Sequence, residues 1–256
     1  NERWSRIMRQ EEINQHWSED AGNYSRIIDD ELESYRPALW REQIEKVCQK
    51  KEMKILDAGC GPGFFSIILS QAGHQVTGVD GAAEMVRQAR KKAKSYGVHP
   101  VFLEMDCNDL QFPDNTFDLV ISRNVTHTLL DHSRVYGEWK RVLKPGGKLL
   151  IFDANWHLTE PGAPLYQEYR KRFQKCILQY GDAYGEEDMV LEEEPEVSGS
   201  HVLGHLVRPQ WDQGILEELG YRKIQYKTDI SRELWDDKEK LIYGATPMFM
   251  IQATKQ

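Results

Sequence analysis

Read only for hydrophobic and polar positions, the chain falls into stretches of different rhythm. Up to residue 50 apolar residues are sparse and helically spaced: Tyr24 to Glu33 carries Ile27, Ile28 and Leu32, and Pro37 stands where a proline can open a further helix. From residue 51 short apolar runs alternate with amphipathic segments, the pattern of βαβ units and a parallel sheet. Strands are predicted over Lys54 to Asp57, Gln75 to Asp80, Val101 to Glu104, Phe117 to Ser122 and Lys148 to Ala154. The helices between them are Phe64 to Ala72, Ala82 to Tyr96 and a third around Arg134 to Val142, the first two ending near Gly73 and Gly97. At Asn155 the alternation stops. It returns with a helix over Trp211 to Leu219, a strand over Arg222 to Lys227 and a last strand over Met248 to Ala253. The organisation expected is an N-terminal helical cap (1–50), an α/β core (51–154), an inserted cap (155–208) and a C-terminal completion of the core sheet (209–256).

The first strand runs into Asp57-Ala58-Gly59-Cys60-Gly61-Pro62-Gly63, which opens the helix at Phe64. Glycines let the backbone turn sharply there and let a ligand lie against main-chain atoms. In an open α/β sheet that ligand sits beyond the carboxyl ends of the strands. A dinucleotide loop reads G-x-G-x-x-G with a pyrophosphate on the helix N-terminus. Here the third glycine arrives one residue early, which favours a nucleoside with an amino-acid tail. The second strand ends in Asp80, a carboxylate able to accept from both ribose hydroxyls or, alternatively, a strand-end or N-cap residue before Ala82.

Composition narrows the partners. The 256 residues suffice for one domain, or a core with a smaller appendage, and no apolar run approaches the roughly 18 residues of a membrane span. The first residues lead into no apolar signal segment, so the expectation is an aqueous compartment, by default the cytoplasm. A net charge of −8 argues against a partner held through its phosphates, and a nucleic acid is not expected. Cys48, Cys60, Cys107 and Cys176 form no C-x-x-C pair and read as free thiols.

Asp57 to Gly63, Asp80, Asp106-Cys107, Phe117-Asp118-Leu119-Val120 and Leu143-Lys144-Pro145-Gly146-Gly147 stand in the order and spacing of the class I S-adenosylmethionine (SAM) dependent methyltransferases. The chain resembles most the branch that includes ubiquinone and menaquinone biosynthesis methyltransferases, from about Trp17 to Ala154. The resemblance implies a doubly wound, mostly parallel seven-stranded α/β sheet of order 3-2-1-4-5-7-6, strand 7 antiparallel, with SAM as cofactor. It also implies roles: Asp57 and the Gly59, Cys60, Gly61 and Gly63 backbone for the methionine part, Asp80 for the ribose, Gly81 and Met85 for the adenosine pocket, Asp106 and the Cys107 N–H for adenine. Asn124 and Val125 would flank the sulfonium. Tyr24 would close over the cofactor, with Trp17 and Tyr35 as alternatives.

Methyl transfer from a sulfonium is an in-line displacement, so alignment in a dry cavity supplies much of the rate and a base is optional. His127, just past the fourth strand, reads as an acceptor contact or general base, or else as a packed or capping histidine. Asp153-Ala154-Asn155-Trp156-His157 faces the same cleft, but the fourth strand ends in Ser122-Arg123-Asn124 without a carboxylate, so no metal is expected. His201 and His205 have a ligand-pair spacing, yet Gly199 and Gly204 oppose a helix there, and a structural or substrate-lining role is expected. The acidic runs at 186–188 and 192–194 read as solvated surface. Tyr166, Tyr169, Phe173, Tyr180 and Tyr184 line a pocket or form the cap's own core. No Asn-Pro-Pro-Tyr or Asp-Pro-Pro-Tyr follows the fourth strand and no Pro-Cys is present, which argues against action on DNA bases. The leading expectation is transfer of a methyl group to O, N, C or S of a small molecule. A non-catalytic SAM-binding sensor or assembly subunit, and an NAD-dependent oxidoreductase, are the alternatives. The sequence leaves the oligomeric state open.

Overall fold

Leu149, Leu150, Ile151 and Phe152 are four consecutive, fully buried residues. Successive strand side chains point to opposite faces, so such a run belongs to a strand covered on both sides. The structure, a computed structural model describing residues 9–48, 50–183 and 206–256, places them in the middle of a sheet. Leu150 and Phe152 join one core with Ile55, Phe65, Ile121 and Trp40. Leu149 and Ile151 join the other with Leu56, Val120, Tyr136 and Trp139.

Among the described residues seven strands form one sheet: β1 (Lys54–Ala58), β2 (Gln75–Asp80), β3 (Val101–Glu104), β4 (Phe117–Arg123), β5 (Leu143–Asp153), β6 (Tyr221–Lys227) and β7 (Phe249–Lys255). Their order is β3-β2-β1-β4-β5-β7-β6. The pairs among β1 to β5 are parallel, whereas β7 runs antiparallel to β5 and β6. This is the architecture expected.

The helices are α1 (Gln10–Glu33), α2 (Arg36–Glu45), α3 (Phe64–Gln71), α4 (Ala83–Ser95), α5 (His132–Val142), α6 (Tyr166–Tyr180), α7 (Gln210–Glu218), α8 (Ser231–Leu234) and α9 (Asp237–Tyr243). Helix α3 buries Phe64, Phe65, Ile67, Ile68 and Leu69, because the sheet lies on one side and Trp40 of α2 on the other. Helix α1 reaches back to Gln10, with Ile13, Trp17 and Ala21 in a narrow stripe four residues apart. β5 starts at Leu143, since Leu143 pairs with Phe117 before the Gly146-Gly147 irregularity.

The alternation ends at Asn155 as expected, but the following stretch contains the 15-residue helix α6. Tyr169, Phe173 and Cys176 pack with Ile242 of α9, so these aromatics form a satellite core. Helices α8 and α9 escaped the sequence reading because both are short. α9 nevertheless carries a capping signal, Asp236 accepting from the Glu239 N–H at 2.8 Å while Glu239 accepts from the Asp236 N–H at 3.1 Å. Tyr184, His201, His205 and the acidic runs lie outside the described residues. No described helix is long and apolar enough to cross a membrane.

Candidate active site

The carboxyl ends of β1, β2 and β4 open into a cavity of about 740 Å³. At one end is the glycine turn. Gly59, Gly61 and Gly63 have φ of +71°, +50° and +90°, and the Gly59 and Cys60 N–H groups donate to the Val79 carbonyl at 2.9 Å. A Cβ at Gly59 would stand 2.3 Å from a Val125 methyl, so close approach as well as backbone angle requires glycine. Asp80 accepts from the Gly61 N–H at 2.8 Å and the Ala82 N–H at 2.9 Å, holding the turn against the end of β2. Burial pushes its carboxyl upward, against the pull of those two donors.

Asp57 is 2% exposed and accepts from the Ser66 N–H at 2.9 Å and the Ser66 hydroxyl at 2.7 Å. It thereby ties β1 to the first turns of α3. Burial pushes its carboxyl up to about 6. Asp106 accepts from the Asn108 backbone and side-chain N–H groups, both at 2.8 Å. Asp57, Gly59, Cys60, Gly61, Asp80, Gly81, Met85, Asp106, Cys107, Asn124, Val125, Tyr24 and His127 all border the cavity. Gly63 lies behind it, facing Ala89 and Phe102. The cysteines at 60 and 107 are free, and burial pushes both thiols up.

Helix α1 forms the opposite wall. The Tyr24 ring would stand 3.6 Å from a Cβ at Gly61, and Asn14 lies against Gly81. Trp17 packs edge-on to Tyr24 at 6.0 Å, whereas Tyr35 is 62% exposed and away from the cavity. The helix is anchored by Glu31, which takes Arg123 through both oxygens at 2.8 and 3.0 Å and the Trp40 indole N–H at 2.9 Å. Arg123 lies over the Phe64 ring at 4.3 Å. Arg36 pairs with Glu239 at 2.5 Å, extending this buried network from α1 and α2 to α9.

The other end of the cavity is built around the end of β5. Past β4, the chain turns through Asn124, whose φ is +55°, into a single 3₁₀ turn over Thr126–Thr128 that lies across Asp153. His127 Nδ1 stands 2.9 Å from Asp153 Oδ1, and the ring is edge-on to Trp156 at 6.4 Å. Trp156, Trp235 and Tyr243 pack ring against ring at 5.5 to 6.3 Å. His157 meets Glu160 at 2.6 Å and the His127 carbonyl at 2.8 Å.

Of the residues expected from sequence, His127 and the glycine-loop residues other than Gly63 border this cavity; Asn14, Glu31, Arg123, Trp235, Glu239 and Tyr243 border it too and were not foreseen. For Trp235, Glu239 and Tyr243 the capping box at Asp236 was the available signal for a helix; for Glu31 and Arg123, 92 residues apart, there was none. Asp153 is taken up by N–H and O–H donors, and Asn155 exchanges hydrogen bonds with the Arg208 backbone. No group of three or more metal-binding side chains occurs among the described residues.

The cavity suits SAM. Asn124 Oδ1 is buried there without a hydrogen-bond partner, an acceptor awaiting a donor, and the glycine turn leaves main chain bare beside it.

Comparison with known proteins agrees. The sequence profile of the family described as "Methyltransferase domain" matches residues 56–151. A demethylmenaquinone methyltransferase of Thermus thermophilus is 35% identical over 141 residues, which cover 54% of this chain and 63% of that protein's length. The Listeria monocytogenes protein of the same name is 27% identical over 73% of this chain and 78% of its own. In fold, a crystal structure of a SAM-dependent methyltransferase from Aquifex aeolicus matches 91% of this chain and 98% of its own with a TM-score of 0.57, at 22% identity. Sheet order, glycine turn and acidic strand ends agree with these matches: residues 56–151 carry a methyltransferase domain on the seven-stranded fold of the SAM-dependent methyltransferases, and SAM is the cofactor.

Proposed function

We propose that the protein transfers the methyl group of SAM to a small-molecule acceptor, with His127 as the acceptor's general base. The observation that carries this reading is that one cavity is bordered at one end by the glycine turn and Asp80, and at the other by His127 and an aromatic wall. SAM supplies an electrophilic methyl group whose sulfur leaves with the bonding electron pair when an acceptor lone pair attacks in line.

The chain's own residues bind, align and keep out water. Asp80 would accept from the ribose hydroxyls, Asp106 from the adenine amino group, and Asp57, Asn124 and the Gly59–Gly61 backbone would hold the amino-acid end. Tyr24 and Asn14 on α1 would cover the cofactor, and burial keeps the Tyr24 hydroxyl protonated. His127, with Nδ1 turned to Asp153, would take the acceptor's proton at Nε2.

Two observations favour a planar acceptor. Trp156, Trp235 and Tyr243 touch one another, so they make a continuous aromatic wall to stack against. The carboxylates beside them are already paired: Glu239 with Arg36, Glu31 with Arg123, Asp182 with Lys238. A ring acceptor also agrees with the quinone named for the Thermus and Listeria relatives.

Calorimetric titration with SAM and with S-adenosylhomocysteine, with NADH as control, tests the cofactor half of the reading. Micromolar binding of both adenosyl compounds is expected; binding of neither by the folded protein overturns it. Acceptor-dependent release of S-adenosylhomocysteine tests the other half, and His127→Ala should lower turnover far more than SAM affinity.

A further inference from the structure

Asp153 is the most heavily engaged side chain at the site. Its Oδ1 accepts from the Ala154 N–H at 2.8 Å and the Trp156 indole N–H at 3.2 Å, and faces His127 Nδ1 at 2.9 Å. Its Oδ2 accepts from the Thr126 hydroxyl at 2.6 Å and the His127 N–H at 2.8 Å. Arg208 stands 3.7 Å away on the buried side and reaches Thr126 at 2.5 Å. The carboxyl group is fully buried. Burial alone would raise its pKa, but the hydrogen bonds from His127 and Thr126 and the Arg208 charge hold it well below the usual carboxylate range, so it acts as an acceptor only.

Resting on the reading of His127 as the base, we infer that Asp153 is a positioning residue that presents two cavity-facing groups together: the His127 imidazole, locked with its proton on Nδ1 and its lone pair on Nε2, and the Trp156 indole against which the acceptor lies. The inference follows from hydrogen-bond accounting. A carboxylate with no proton forces its imidazole partner to be the donor, which fixes the tautomer. Because the same oxygen fixes the indole edge, base and ring wall move as one unit. His157, on the far side, holds the His127 carbonyl. Neighbouring strands make this arrangement: Arg123 pairs with Phe152, so the chain leaving β4 passes directly over the end of β5.

The test begins with the unaltered protein. Long-range ¹H–¹⁵N correlation of histidine-labelled protein above pH 8, with His127→Gln to assign the signal, should show neutral His127 as the Nδ1–H tautomer. An Nε2–H tautomer overturns the inference without any variant having to fold. In Asp153→Asn the Nδ1–H form should lose its predominance and turnover should fall roughly a hundredfold or more, with SAM affinity changed less than about threefold. The same substitution in a His127→Ala background should change turnover by less than about threefold, because the amide oxygen of the variant still accepts from the Trp156 indole and the rest of the effect runs through His127; an undiminished loss there also overturns the inference. SAM calorimetry is independent of the tautomer. Loss of SAM binding in the unaltered protein would sink the methyltransferase reading, whereas a wrong tautomer with normal SAM binding would sink this one alone.

Discussion

At Asp80 each carboxylate oxygen meets a backbone N–H, of Gly61 on one side and Ala82 on the other, so the residue both shapes the turn and borders the cavity. Asp80→Ala should weaken SAM at least about tenfold, because charge-assisted hydrogen bonds contribute roughly 1.5–3 kcal/mol each. Calorimetry reads this directly, and an unchanged affinity would place the ribose elsewhere. At Asp57 burial lifts the carboxyl to about 6 from an ordinary 3.8. The folded state then binds more protons than the unfolded state between those values, and stability attributable to Asp57 falls as pH rises through that window. Relative to Asp57→Asn, the native protein should lose about 2.4 kcal/mol between pH 4 and pH 7 in denaturant unfolding. A difference independent of pH would show that Asp57 ionises as freely folded as unfolded. Both aspartates were legible in the sequence because each ends a strand at a turn whose glycines announce it. The partnership of His127 with Asp153, 26 residues on, was not, because it depends on β4 and β5 being neighbours.

Helix α1 has little apolar surface for its 24 residues, and a buried ion pair holds it in place. Arg123 is enclosed by Phe64, Phe65 and Trp40 and its side chain is only 10% exposed, so removing the charge of its nearest partner leaves a largely desolvated cation. Glu31→Gln should therefore cost about 3–5 kcal/mol in denaturant unfolding. A loss under about 1 kcal/mol would mean that water reaches Arg123. The apolar run of α3 and its glycines made that helix plain from sequence. Helices α8 and α9, of four and seven residues, are too short to set up a helical period, whereas α6 does carry one in Tyr169, Phe173 and Cys176, masked by the glycines and charges on either side.

The cavity joins parts far apart in the chain: α1, the ends of β1, β2 and β4, the turn after β5, and α8 with α9. A ligand bound to all of them stabilises the whole molecule by mass action, about 2.7 kcal/mol at a hundredfold excess over its Kd. SAM at that excess should raise the melting temperature by roughly 5–10 °C for a chain of this length, and NADH should not. A shift with NADH alone would contradict the assignment of the glycine turn. By itself the sequence determined the cofactor end of this protein, because strand, glycine turn and acidic strand end are adjacent in the chain and obey local backbone geometry. Only the tertiary structure decided how the other end, which we propose takes the acceptor, is assembled. Asp153, His127, Trp156, Trp235 and Tyr243 meet through the order of strands in the sheet and the path of the chain after β5, and no local pattern records which distant side chains will share a wall.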